Sequence, residues 1–331
     1  MNRLNNMISL ALILILGILF TIGGQYFLTV QNLLTISETM AEFGIMALGM
    51  MLAIMVSGIN LTLGSVCGLT SLIAISLYRA GLPILFCVAI ALALSAVMGL
   101  VTGFFIAKLK VAPMLLTLTM SMVFTGISYV ISEGNAISGF PRSYWFLGQE
   151  KIAGLPAQTW LLIIIILLLT ILLRHSPWGV KMYAVGHSPT ATRCSGVNTD
   201  SIIISAYVVG SLLAGISGVI MSSRVATARL DLGNSYLVKS IAAVILGGAS
   251  MAGGTGTAFG TLLGVTIITM LSNGMNHIGV SAYIQQFILG VLLIIVLVFN
   301  SNILPPLYLA IQRHKSARQH DPVTISEGRK E

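Results

Sequence analysis

Residues 242–264 read AAVILGGASMAGGTGTAFGTLLG, a glycine-rich interruption with an apolar run on either side. Glycine-rich turns at helix starts cradle phosphates, so the stretch invites a nucleotide-binding reading. It lacks what that reading requires. No Lys-Ser or Lys-Thr closes a phosphate loop, no strand–helix–strand pattern surrounds the run, and no acidic ribose ligand follows. The glycines suit packing instead. Gly256, Gly260 and Gly264 recur every four residues and predict one small-residue face, on which another helix can approach backbone to backbone. Gly64 and Gly68 repeat that spacing early in the chain. In both places the glycines follow a broken apolar segment, at Gly58 and at Gly253-Gly254, which predicts two related halves around a central path.

Outward from this stretch the apolar pattern continues through almost the whole chain. Of 331 residues, 56% are hydrophobic and 8% charged, and the mean hydropathy is +0.98. That leaves too few polar side chains to cover a soluble globule. A hydrocarbon core about 30 Å thick needs about 20 helical residues. Runs of that kind lie at 7–27, 38–57, 60–78, 83–107, 112–131, 159–173, 201–222, 239–252, 257–275 and 282–299. The expected fold is an all-α integral membrane protein, a polytopic bundle of about ten transmembrane helices (8–10) with broken or re-entrant members. The breaks at Gly58 and Gly253-Gly254 are so short that each adjoining pair reads either as two spans or as one broken helix. Residues 1–311 form this domain; 312–331, polar and without apolar periodicity, read as a disordered cytoplasmic tail. The first run, from Met7 to Leu28, has no small-residue cleavage site after it and reads as a retained helix rather than a removed signal peptide.

The net charge of +8 would suggest nucleic acid in a soluble protein, but the 17 basic residues are scattered between apolar runs and suit orientation in a membrane. With the amino terminus inside, eleven of them (Arg3, Lys108, Lys110, Arg174, Lys181, Arg193, Arg313, Lys315, Arg318, Arg329, Lys330) face the cytoplasm. Six (Arg79, Arg142, Lys151, Arg224, Arg229, Lys239) lie outside or at outer helix ends. The bias places both termini in the cytoplasm. Cys67, Cys87 and Cys194 are far apart and imply neither disulfides nor a metal site, and the histidines form no ligand set. No cofactor and no catalytic residue is expected.

Polar residues within the runs are nearly all uncharged. Asn60, Thr62 and Ser65 lie at the first break, Thr117, Thr119 and Ser121 on one helix, and Asn273 and Asn276 near the outer end of another. Such groups fit a hydroxyl-rich, uncharged solute, or equally the hydrogen bonds between membrane helices. Among carboxylates, Glu38 and Glu42 share a helix face, and Thr35-Ile36-Ser37-Glu38 has the spacing of a capping box, so both read as cap and dipole partners ahead of an ion site. Scarcity of intramembrane charge disfavours an ion-coupled secondary transporter acting alone, the main rival reading.

Two connections are long, Ser132 to Gln158 outside and Arg174 to Asp200 inside. The outer one carries Tyr144, Trp145 and Phe146, either an aromatic belt at the lipid interface or a docking patch. The inner one contains a short helix with legible ends: Ser188 as N-cap, Pro189 in first position, Thr190 to Ser195, then Gly196 as the stop. A rod of about 10 Å is too short to span. It is expected to lie on the inner face with Thr190, Thr192 and Arg193 pointing outward.

Three stretches carry a family resemblance: Gly58 to Ser65, Tyr183 to Val197, and Ala242 to Gly264. In order and spacing they resemble the ribose-type ABC sugar permeases, which import ribose, xylose, rhamnose and autoinducer-2. The resemblance implies a bacterial inner-membrane permease subunit, a cytoplasmic ABC ATPase, a periplasmic solute-binding protein and a second permease subunit, identical or related. It makes the short helix an ATPase-coupling segment, comprising Gly186, His187, Ser188, Pro189, Thr190, Arg193, Ser195 and Gly196. Thr190 stands where relatives often have an acidic residue, and Asn60 where an Asp is common. The stretch Ala228 to Leu237 resembles autoinducer-2 permeases more than ribose permeases.

Overall fold

The computed structural model describes residues 2–23 and 27–300. The proposed tail at 312–331 and the charges on it lie outside these. The described chain is almost wholly helical: α1 (Asn2–Gly23), α2 (Val30–Met55), α3 (Leu63–Arg79), α4 (Ile84–Leu109), α5 (Pro113–Ser132), α6 (Phe146–Gln149), α7 (Ala157–His175), α8 (Pro177–His187), α9 (Pro189–Cys194), α10 (Thr199–Val225), α11 (Asn234–Leu246), α12 (Ala258–His277) and α13 (Ala282–Asn300). Six of these, α2, α4, α5, α7, α10 and α12, are long and apolar enough to cross a membrane, and α1, α3, α11 and α13 contain shorter apolar helices. Apolar side chains face outward on a scale water would not tolerate, Leu85 at 77% and Val130 at 81% exposure among them. The chain is a multi-pass membrane protein.

Helix α2 is the axis of the bundle. From Ala41 to Met55 every residue is buried, because α7, α10, α11 and α12 all pack on it. Such encirclement needs small side chains at the crossings. At the α2–α10 crossing a Cβ on Gly49 would stand 2.7 Å from the Gly210 carbonyl oxygen, and one on Gly210 3.0 Å from that of Gly49. Both expected breaks exist, at residues 56–62 and 247–257. They are tied together: Gly254 N–H donates to Met55 O at 2.9 Å, and Ser57 Oγ to Ala252 O at 2.9 Å.

A third break, at 226–233, was not legible as such. The sequence placed an external loop there and a run from 239. In the structure Thr227–Ala228 pairs antiparallel with Ile137–Ser138 of the long hairpin connection, after which the chain descends along α3. Cβ atoms on Gly68 and Gly64 would meet the backbones of Leu230 and Gly233 respectively. Helix α11 therefore starts inside the bundle, where its N-terminus meets that of α3; neither has a side-chain cap.

Other expectations need correction. Helix α2 begins at Val30 under an N-cap from Thr29, whose hydroxyl accepts from Asn32 N–H at 3.4 Å. Thr35 to Glu38 is thus helix interior and not a capping box. Gly256, at φ +153°, lies in the turn before α12, so only Gly260 and Gly264 share its face. There they do pack closely, against Gly247 and Ala243 of the α11 segment. Tyr144 is neither belt nor patch: it is buried, stacks on Phe140 at 4.1 Å between ring centroids and bonds Ser222 Oγ at 2.7 Å. Burial raises its phenol above the ordinary value.

Candidate functional site

The helix α9 forms as its caps dictate. Ser188 Oγ accepts from Ala191 N–H at 3.3 Å, Pro189 opens the helix, and Gly196 closes it at φ +80°, its N–H bonded to Arg193 O at 3.0 Å. Pro189, Thr190, Ala191, Arg193, Cys194, Ser195 and Gly196 are exposed. Thr192 is not: it turns inward, and its hydroxyl donates to Ser188 O at 2.8 Å. Arg193 is solvent-facing in part but not free, since its guanidinium binds Asp200 and donates to Thr199 Oγ1 at 2.9 Å.

Helix α8, unrecognised in the sequence although Ser176-Pro177 has the same cap-and-proline start as Ser188-Pro189, anchors α9 to the bundle. Ser176 Oγ accepts from Gly179 N–H at 3.2 Å, and Trp178 Nε1 donates to Ser205 Oγ at 2.7 Å. Tyr183 hydroxyl donates to Gly256 O at 2.7 Å. Burial raises that phenol, with Arg174 acting in the opposite sense, so it remains a neutral donor. At the end of α8, Gly186 lies where any Cβ would overlap the Met55 carbonyl and the Gly254 backbone, and its own carbonyl accepts from Ser57 Oγ at 3.0 Å. The platform of α8 and α9 is thereby fixed to both breaks at once. Beside α9 a cleft of about 510 Å³ opens between Lys110 and Pro113 on one wall and Pro189, Thr190 and Arg193 on the other.

The polar candidates divide into two places. Asn60, Thr62, Ser65 and Thr117 converge at the first break and are buried. Asn60 Oδ1 accepts from Thr62 N–H at 3.1 Å and Thr62 Oγ1 at 2.6 Å, Ser65 Oγ donates to Thr62 O at 2.9 Å, and Thr117 Oγ1 to Ile59 O at 3.0 Å. Ser121 follows one turn beyond Thr117, half-buried. Asn273 and Asn276 lie at the opposite end of the bundle. Asn273 exchanges amide hydrogen bonds with Asn32 at 2.9 and 3.0 Å, and Asn276 accepts from Gln285 at 2.6 Å.

Glu42 is the largest departure from the sequence reading. Instead of capping a helix it is fully buried, with Arg224 Nε of α10 at 2.5 Å from Oε1. The contact is an ion pair and not an aligned hydrogen bond. A lone carboxylate inside the run from Ala41 to Met55 was the available signal, but its partner lies on a helix distant in sequence.

A polytopic bundle with broken helices and a capped surface helix at the breaks is the architecture of a transport permease. Over residues 30–297 the chain matches the family described as branched-chain amino acid transport system, permease component, and it belongs to that family. Among its relatives is the ribose import permease protein RbsC of Escherichia coli (strain K12), 36% identical over 298 residues, 88% of this chain and 92% of that protein. The ribose import permease protein RbsC of Bacillus subtilis (strain 168) is 33% identical over 288 residues, 86% of this chain and 89% of that one. The autoinducer 2 import system permease protein LsrC of Photorhabdus laumondii subsp. laumondii is 29% identical over 313 residues, 93% and 92% of the two chains. No solved structure matches the chain significantly.

Proposed function

We propose that the chain is the membrane-spanning permease subunit of a bacterial ABC importer for a sugar. A separate ATPase docks on α9, a periplasmic binding protein delivers the solute, and a second permease subunit completes the path. Ten helices cross the membrane, α1 to α5, α7 and α10 to α13, with both termini in the cytoplasm. The observation that carries this reading is α9 itself: capped at both ends, exposed along one side, and bolted through Gly186, Ser57 and Gly254 to both breaks. A push there reaches the two places where the bundle is discontinuous.

The path is assigned to the region where α3 and α11 begin, with Asn60, Thr62, Ser65 and Thr117 beside it and Asn234 and Ser235 exposed at the start of α11. Neutral hydrogen-bonding groups suit a polyol better than an ion. The choice of solute leans to ribose and not, as the stretch from Ala228 to Leu237 suggested, to autoinducer-2, because identity is 36% over 298 residues to the ribose permease of Escherichia coli and 29% over 313 residues to the autoinducer 2 permease. An ion-coupled carrier finds one observation in its favour, the buried Glu42–Arg224 pair. That carboxylate is sealed from solvent, which suits a structural pair.

Cys194 offers a direct test, being exposed where Cys67 and Cys87 are buried. Bound ATPase is expected to protect Cys194 from a maleimide, and prior labelling to abolish ATPase co-purification and sugar uptake. Unprotected Cys194 with full uptake after labelling would overturn the docking assignment.

A further inference from the structure

Asp200 sits in the first turn of α10, where the end of α9 and the last turn of α4 converge. One of its oxygens takes the Arg193 guanidinium of α9; the other lies 3.2 Å from Lys108 Nζ of α4. The Arg193 side chain is steadied further by Thr199 Oγ1, 2.9 Å from Nη2 and 3.2 Å from Nε. A single carboxylate, 19% exposed, thus holds charged side chains from two other helices. Gly196, the joint after α9, has open space around it.

What lies beyond the bracket is rigid. Helices α4 and α10 are in backbone contact, since Cβ atoms on Gly99 and Gly103 would run into Tyr207, Val208 and Ile204. Further along, α10 crosses α2 at Gly49 and Gly210. Displacing the start of α10 therefore moves α4 with it and loads the central helix.

Resting on the docking of an ATPase at α9, we propose that Asp200 is a positioning residue that transmits the movement of α9 to the α4–α10 pair, through Arg193 on one side and Lys108 on the other. Asp200 would not touch the ATPase. A carboxylate in a first helical turn also interacts favourably with the helix dipole whatever its partners, so the test must separate the two roles.

Sugar uptake per ATP hydrolysed is measured in proteoliposomes holding the assembled transporter, with protection of Cys194 by the ATPase as the docking control. Asp200→Asn and Lys108→Gln are each expected to lower uptake per ATP about fivefold, near the ceiling for a surface ion pair, while Cys194 stays protected. The double variant should be no worse than either single one, since both remove the same link. Asp200→Glu should restore most of the ratio. Multiplying losses in the double variant would show independent roles and overturn the bracket, and so would unchanged ratios with Cys194 protected. Loss of protection in Asp200→Asn would mean the residue serves docking itself and would also overturn it. Absence of protection in the unaltered chain would instead bring down the docking reading and this proposal with it.

Discussion

At the scale of single residues, the Glu42–Arg224 pair makes the sharpest demand on the fold. Removing one member of a buried pair leaves a charge without compensation, at a cost of about 3–5 kcal/mol. Arg224→Met is therefore expected to lower the thermal midpoint of the purified protein steeply, and the Glu42→Gln/Arg224→Met double variant to recover most of the loss. A neutral Arg224→Met would mean that the pair contributes nothing. Gly186 makes a steric demand instead of an electrostatic one. Since any Cβ there overlaps the Met55 carbonyl and the Gly254 backbone, Gly186→Ala should separate α8 from both breaks, read as reduced membrane abundance or lost ATPase co-purification. The sequence marked both residues, Glu42 as a carboxylate in an apolar run and Gly186 as part of a motif. Neither mark said what the residue touches, because the partners come from other helices.

At the scale of elements, local chemistry and long-range packing separate cleanly. The caps of α9 lie within a few residues of one another, which is why Ser188, Pro189 and Gly196 were legible in advance. Gly196→Val tests that element alone: a β-branched residue at φ +80° is strained, yet open space surrounds the site. About 1 kcal/mol of local strain is expected, read as weakened uptake at normal membrane abundance. Gly260→Leu is a different kind of change. It drives a side chain into the Gly247 backbone where α12 meets the α11 segment, so abundance itself should fall, as membrane-fraction immunoblots would show. The start of α11 was misplaced for a related reason: the segment before it is short, polar and turn-rich, and only its contact with Gly64 and Gly68 shows that it runs into the bundle. The pairing of Arg193 was not legible because its partner Asp200 belongs to the next helix, and Thr192 reads as outward because a six-residue rod has no periodicity from which to read its buried side.

At the scale of the whole molecule, the proposed topology puts both termini on the side that carries α8 and α9. A reporter fused after residue 331 should be active only in the cytoplasm; external activity would place α9 on the wrong side for an ATPase. What the sequence by itself determined is the solvent the protein lives in and the existence of its helices. Lipid leaves backbone groups no partner but one another, so a run of about 20 apolar residues has little choice of structure. It also determined the cap-defined α9, since capping is a matter of neighbouring residues. The tertiary structure alone decided which helix stands at the centre, that α3 and α11 meet end to end, that Glu42 is paired through Arg224, and that Arg193 and Lys108 share Asp200. Those outcomes depend on which helices pack together, and in a chain whose helices are apolar on every side, hydropathy carries no instruction about neighbours. Close backbone approach at glycines and a few buried charges select them, and these become visible only once distant segments are side by side.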